Sequence, residues 1–179
     1  MSNKIYRIHF DYKYALADIV ETQNGANSLE LSSDTPELFT TFRYDWLNSE
    51  SSIIPDFVII ISELIGCSAK VSMPLQRICP QICCHPICIG NDNYNIYSNI
   101  PKYSNCINWK KSKITRFSNG DVMEITIPVL LPQDYYPLFR ISDIQSAFFC
   151  NDTFKLMVEN NKLTGLKFEE IKVKSNSWF

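Results

Sequence analysis

The chain has 179 residues, of which 45 % are hydrophobic and 20 % are charged, and its formal net charge is −2 at pH 7. This composition is typical of a soluble globular protein with one core, and it is not basic enough to indicate a nucleic-acid partner. The longest apolar run, Phe57 to Ile61, is too short to cross a bilayer. We therefore predict one domain over 1–179 with no membrane segment.

The N-terminus and the cysteine count predict the compartment. Charges at Lys4, Arg7, Asp11 and Lys13 interrupt any apolar run of the kind that a secretory signal needs. Seven cysteines are an odd number, and without an export signal they favour reduced thiols. We expect a cytoplasmic protein without disulfides.

The N-terminal third is predicted to form a strand, a loop and a helix. Alternation with a period of two predicts a strand over 4–11. Polar, turn-prone residues over 22–37 predict a loop around a short strand at 29–31. A helix is predicted to follow over 36–47.

The middle of the chain is predicted to contain a strand, a helix and a β-hairpin. A continuous apolar, β-branched run favours a buried strand over 57–61. Ser68 is placed to cap a short helix that extends to about Arg77. Strands over 82–89 and 94–100 then form a hairpin.

The C-terminal part contains the strongest hairpin signal, an Asn-Gly pair between the strands 113–117 and 122–129. Further elements are predicted as strands over 138–141, 147–150 and 166–173, with a helix over 154–160. Because strands and helices do not alternate regularly, the prediction is an α+β domain of β-hairpins with about three short helices.

Charge is distributed unevenly along the chain. Residues 1–63 carry ten acidic and four basic side chains, a balance of −6, and the remainder has a balance of +4. An acidic N-terminal third could face a basic partner, and the alternative is a solvated surface with no such role. The candidate contact residues are Asp11, Asp18, Glu21, Asp34, Glu37, Tyr44, Asp45 and Trp46.

The segment ICPQICCHPICI at 78–89 places four cysteines and a histidine close together, namely Cys79, Cys83, Cys84, His85 and Cys88. A metal- or thiol-dependent sensor is one interpretation, but zinc sites usually combine two separated ligand pairs, and a second pair is missing here. The favoured interpretation is a strand that uses cysteine as a small apolar residue. Pro86 within it indicates an edge position or a bulge.

Sequence motifs for other chemistry are missing. No phosphate-binding glycine loop, zinc-protease motif or nucleophile elbow occurs in the sequence, and no spacing pairs two carboxylates for acid-base work. We therefore predict a protein without catalytic residues or a cofactor. A small enzyme whose site is assembled across the fold is the alternative.

Five segments carry a resemblance to a known family: PDFVIIISELIGCS at 55–68, YNIYSNI at 94–100, CINWKKSKITRFSNGD at 106–121, LFRISD at 138–143 and FKLMVENNKLTGLKFEEI at 154–171. In this order they resemble bacterial immunity proteins of polymorphic toxin systems, the family known as immunity family eleven and earlier as a domain of unknown function. Trp109 and Ser112 match an Asp-Trp-x-x-Ser-like turn of that family, although Asn108 stands where an acid is common.

The resemblance implies a non-catalytic protein that binds a cognate toxin domain, encoded by a neighbouring gene, and blocks it by direct contact. It covers the family-like part 55–173 and leaves 1–54 as a variable part that would fit one particular toxin. We expect the acidic residues, with Tyr44 and Trp46 beside Asp45, to face a basic toxin surface. Structural roles are expected for Trp109 as a core anchor, Arg140 as an ion-pair partner of Asp143 or Glu169, and Gly165 as a turn residue with positive φ.

Overall fold

The structure is a computed structural model that describes residues 4–22, 28–47, 53–60 and 64–175. Its strands are β1 (Ile5–Phe10), β2 (Ala17–Thr22), β3 (Phe42–Trp46), β4 (Phe57–Ile60), β5 (Leu64–Ser68), β6 (Cys83–Ile89), β7 (Asp92–Ser98), β8 (Lys102–Tyr103), β9 (Lys113–Arg116), β10 (Val122–Ile127), β11 (Val129–Leu130), β12 (Leu138–Ile141), β13 (Ile144–Asn151) and β14 (Leu166–Val173). The helices are α1 (Ala69–Ile78) and α2 (Asp152–Asn160), with 3-10 helices at Ser28–Glu30 and Pro36–Thr41. This content confirms the α+β prediction. Within the described ranges, no helix has the length and apolar character needed to cross a membrane.

Two six-stranded sheets form the fold. The first sheet has the strand order β11-β14-β1-β13-β12-β8, and the second has the order β2-β3-β6-β7-β5-β4. The second sheet curls until its edge strands β2 and β4 come into contact, and the N–H of Ala15 donates to the carbonyl of Ile53 at 3.0 Å near that junction. A separate hairpin of β9 and β10 pairs with neither sheet in the described part of the chain.

The core of the described residues consists of three apolar clusters. The first joins both sheets to the helices α1 and α2, which contribute Leu75 and Phe154 among others. The second combines residues of the first sheet with residues of the segment 106–135, including Phe139 and Tyr135. The third lies inside the curl of the second sheet, where Phe39 is fully buried. The two sheets thus share one cluster and each has a further cluster of its own.

Most of the predicted elements are confirmed. The strand over 4–11, the helix that begins after Ser68, both hairpins and the elements from 138 to 173 are present with small shifts of their ends. The strand over 57–61 is confirmed as far as Ile60, and residues 61–63 lie outside the described part. Part of the loop predicted over 22–37, at 23–27, also lies outside the described residues.

Two predictions in the N-terminal third are wrong. The segment predicted as a strand at 29–31 instead overlaps a 3-10 helix at Ser28–Glu30. The helix predicted over 36–47 ends as a 3-10 helix at Thr41, and β3 follows. The reason is the period of two in FRYDW, which buries the aromatic Phe42 and Tyr44 and leaves Arg43 exposed between them.

The carboxylate of Asp56 joins three segments, and we call this contact the Asp56 clasp. One oxygen accepts from the Thr164 N–H at 3.0 Å and from its hydroxyl at 2.9 Å, and the other accepts from the Ser68 hydroxyl at 3.0 Å. The ammonium of Lys70 lies 3.4 Å away. The clasp therefore connects the start of β4 to the N-terminus of α1 and to the turn before β14.

Gly165 lies directly beside this clasp and has a φ of +104°, as predicted from the sequence. A Cβ atom at this position would lie 2.1 Å from the carbonyl oxygen of Phe57, which is a backbone atom and cannot rotate away. The adjacent Thr164 carbonyl accepts from the Phe57 N–H at 2.9 Å. The chain thus needs glycine here both for its dihedral angle and for the close approach of two backbones.

We predict that Gly165→Ala lowers the free energy of unfolding by about 3 kcal/mol or more, because it adds a backbone clash to an unfavourable φ. Gly120→Ala is the matched control, since Gly120 has a φ of +91° and no atom within 4 Å of an added Cβ. The control should lose only about 1 kcal/mol in urea unfolding. Equal losses for the two variants would contradict the role given to the close approach.

A second prediction concerns the pH dependence of stability. Burial of Asp56 acts to raise its pKa, but the hydrogen bonds from Thr164 and Ser68 and the charge of Lys70 together outweigh it, so the pKa is lowered below the usual 3.8. A lowered folded-state pKa gives stability that is present above the unfolded-state pKa and is lost as the pH falls through the folded-state value.

We therefore expect Asp56→Asn to lower the free energy of unfolding by about 2 kcal/mol at pH 7. The difference from the unsubstituted chain should shrink as the pH falls below about 4. Urea unfolding at several pH values measures it, with the exposed Asp121→Asn as the control. A difference that does not depend on pH would contradict the charge-assisted clasp.

Candidate partner-binding site

The structure distributes the predicted acidic contact residues over several places. Asp11 is 6 % exposed, and its oxygens lie 2.9 Å from the Lys167 ammonium and 3.4 Å from that of Lys13. The hydrogen bond from Lys167 lowers the pKa of Asp11. The exposed Asp34 lies 4.0 Å from Lys102. Bases from later in the chain therefore offset part of the acidic balance, and the carboxylate of Asp11 is mostly buried in ion pairs within the chain.

Two of the predicted acids face each other across neighbouring strands. Asp18 of β2 and Asp45 of β3 are directly opposed in the antiparallel register, and both are half-buried. Like charges in this position repel each other. The guanidinium of Arg43 lies 3.9 Å from one oxygen of Asp45 and offsets part of this repulsion. The side chain of Glu21 lies outside the described part of the structure, and Glu37 is exposed on the second 3-10 helix.

The aromatic residues beside Asp45 are fixed by the fold. Tyr44 is 2 % exposed and its hydroxyl donates to the carbonyl of Phe39 at 2.9 Å, so the fold buries most of this predicted contact residue. Trp46 is half-buried, and its indole N–H donates to the carboxylate of Asp92 at 2.9 Å. Its ring packs edge-on against Tyr94. The fold therefore holds Trp46 in place through both a hydrogen bond and a ring contact.

A groove of about 450 Å³ lies next to these acids, between β3 and β6. Most of its lining is apolar, and the complete set is Phe39, Thr40, Phe42, Arg43, Tyr44, Pro86, Ile87, Cys88 and Asn93. The second 3-10 helix reaches β6 at this groove, where the Phe39 ring packs edge-on against His85 at 5.2 Å. The N-terminal third and the cysteine-rich strand therefore meet in one concave surface that the sequence did not reveal.

The cysteine-rich segment is divided between the interior and the surface. Cys79 is fully buried in the first core cluster, and burial raises its pKa to about 11. Cys83 and Cys88 are exposed on β6, and Cys84 is half-buried against the first cluster. Within the described ranges, no group of three or more His, Cys, Asp or Glu side chains is placed to hold a metal ion. The alternative function, a metal- or thiol-dependent sensor, stays a hypothesis that metal analysis of the purified protein would test.

The closest pairing of nucleophile and base is between His85 and Ser98, whose Nε2 and Oγ atoms lie 2.7 Å apart. Ser98 is 2 % exposed, so its hydroxyl has little access to a substrate. Burial also raises the pKa of Cys84, which keeps that thiol protonated rather than activated as a nucleophile. This geometry gives no direct support to the alternative of a small enzyme.

Two structural roles expected from the resemblance are wrong. Trp109 is 42 % exposed rather than buried. The turn that contains it is held by Asn108, which is 1 % exposed and whose carbonyl accepts from the N–H groups of Lys111 and Ser112. Arg140 is buried and its guanidinium donates to Ser33 at 2.8 Å, and the predicted ion pair with Asp143 or Glu169 is not found among the contacts of the described residues.

No protein-family model matches this chain, and no curated protein matches it. The resemblance of residues 55–173 to the immunity family therefore stays a prediction. The geometry described above is the basis on which a function can be proposed.

The exposure of the thiols gives a prediction that separates core cysteines from metal ligands. We expect two of the seven cysteines, Cys83 and Cys88, to react quickly with dithionitrobenzoate in the native protein, and all seven to react after unfolding. Metal analysis of protein purified without added zinc should find less than about a tenth of an equivalent. A stoichiometric zinc ion that protects both exposed thiols would contradict this account.

Proposed function

We propose that this chain is an immunity protein, which neutralises a cognate bacterial toxin domain encoded by a neighbouring gene through direct, non-catalytic contact. The observation that carries the proposal is the pair of opposed carboxylates, Asp18 and Asp45, beside an apolar groove. The resemblance of 55–173 supports toxin neutralisation as the biological role. The acids and the groove support a surface through which it could act.

The electrostatics of this surface favour a basic partner. The opposed carboxylates of Asp18 and Asp45 repel each other in the free protein. A lysine or arginine of the toxin placed between these carboxylates would replace repulsion with attraction. Such complementarity increases the rate of association and orients the partner.

The groove provides the apolar part of the surface. A nanomolar complex needs about −12 kcal/mol and typically buries about 1,600 Å² in total, with a few anchors that contribute most of the affinity. Pro86, Ile87 and Cys88 supply the accessible apolar part of the lining, above the buried Phe39 and Phe42, and an apolar side chain of the toxin packed there would be removed from water. The exposed Asp34 and Glu37 lie just before and within the same 3-10 helix, so they would flank the contact.

The experiment is growth of a test strain that expresses the neighbouring gene's toxin domain, with and without this chain. The double variant Asp18→Lys and Asp45→Lys should lose rescue and slow association with the purified toxin about tenfold or more at low salt. The control, Asp121→Lys with Glu124→Lys, makes the same change in net charge on the β9–β10 hairpin and should rescue like the unsubstituted chain.

Three results would contradict the proposal. The first is a toxin that kills the cells despite this chain. The second is full rescue by the Asp18 and Asp45 variant with an unchanged association rate, which would remove the acidic pair from the contact. The third is rescue without a detectable complex, which would favour an enzyme that reverses the damage.

A further inference from the structure

Strands β3 and β6 are neighbours in the second sheet, but they stay together for only a short distance. Their parallel register contains one pair, Tyr44 with Ile89, and the Gly90 N–H donates to the Tyr44 carbonyl at 3.0 Å. Beyond this pair the strands diverge and the groove opens between them. We call this opening, between 42–44 of β3 and 86–88 of β6, the fork.

The burial of β6 is unusual for a strand in the middle of a sheet. Only Ile89, at the closed end of the fork, is buried, whereas Cys83, Pro86 and Cys88 are exposed. On its other side β6 pairs with β7 along its whole length, from Cys83 to Ile89. Since the pairing with β3 stops at Ile89, the rest of β6 has no paired strand on that edge among the described residues.

The backbone of β6 is oriented to bond with a further strand in the fork. Because the Gly90 N–H points toward β3 and N–H groups alternate along a strand, the Cys88 N–H and the Pro86 nitrogen lie on the same edge. Pro86 has no N–H to leave unsatisfied there, which agrees with the edge position predicted from the sequence. The fork edge therefore offers the Cys88 N–H and the Pro86 carbonyl.

The walls of the fork indicate the chemistry of its occupant. Pro86, Ile87 and Cys88 provide accessible apolar surface, the buried Phe39 and Phe42 lie beneath it, and Asp45 follows Tyr44 at the closed end. An extended segment with an apolar side chain packed against Ile87 in the groove would bring a neighbouring basic side chain toward Asp45 and Asp18. Addition of a strand to an open edge, with pockets that select side chains, is an established mode of peptide recognition.

We propose that the fork binds an extended segment of the cognate toxin as an added strand against β6, with an apolar residue in the groove and a basic residue at Asp45. This inference rests on the proposed function, because the toxin is the source of the segment. It goes further by naming the edge, the strand and the type of segment that the immunity protein recognises.

The first test fills the fork from an exposed position. Thr40 lines the groove and is exposed, so Thr40→Trp should occupy the groove without disturbing the core. We expect it to weaken binding of the purified toxin domain about tenfold or more. Thr115→Trp is the matched control, because Thr115 is also exposed but lies on β9, outside the fork. The control should bind within about twofold of the unsubstituted chain.

The second test needs no substitution. Cys88 lines the fork, and Cys83 lies on the same strand outside the groove lining, so the two exposed thiols report on different places. With the toxin domain bound, alkylation of Cys88 should slow about tenfold or more and that of Cys83 should be unchanged, and the Cys88 amide should gain protection from hydrogen exchange.

The outcomes separate this inference from the proposed function. A complex in which Thr40→Trp binds normally, Cys88 reacts freely and its amide exchanges as before would overturn the fork as the binding edge and leave the immunity role intact. Failure of the unsubstituted chain to bind the toxin would overturn both. Slower alkylation of Cys88 without amide protection would show side-chain contact only and would overturn strand addition.

Discussion

The fold depends on one buried carboxylate. Asp56 accepts hydrogen bonds from Thr164 and Ser68, and next to it the backbones of Phe57 and Gly165 approach too closely for any side chain. These contacts join β4 of the second sheet to the turn that leads into β14 of the first. Asp56, Thr164 and Gly165 all lie within 55–173, so this part of the chain alone supplies the junction of the two sheets.

The proposed contact surface is built from a different part of the chain. Asp18, Asp45 and the phenylalanines of the groove come from 1–54, and only the β6 wall comes from the family-like part. Burial of Phe39, Phe42 and Tyr44 inside the curl of the second sheet anchors this N-terminal part, while Asp18 and Asp45 remain partly accessible. The groove residues take no part in the Asp56 clasp, so substitutions in the wall would leave the junction of the two sheets in place.

Local patterns predicted most elements, and long-range contacts determined the rest. Asn-Gly predicted the hairpin of β9 and β10, and the positive φ of Gly165 agrees with the turn predicted there. The segment FRYDW was predicted as helix because a helical pattern starting at Pro36 competed with its period of two. Pairing and burial within the second sheet decide in favour of a strand. The opposition of Asp18 and Asp45, the burial of Tyr44 and the fork depend on strand pairing between distant residues, which spacing along the sequence cannot specify.

The most direct measurement of the central claim is a titration of the purified toxin domain with this chain, with residual toxin activity as the readout. A protein that acts by direct contact should reduce activity linearly to zero at one equivalent, and the same complex should be recovered at a one-to-one ratio. Neutralisation that continues with time at a small fraction of an equivalent would show turnover and would contradict the account of a non-catalytic inhibitor.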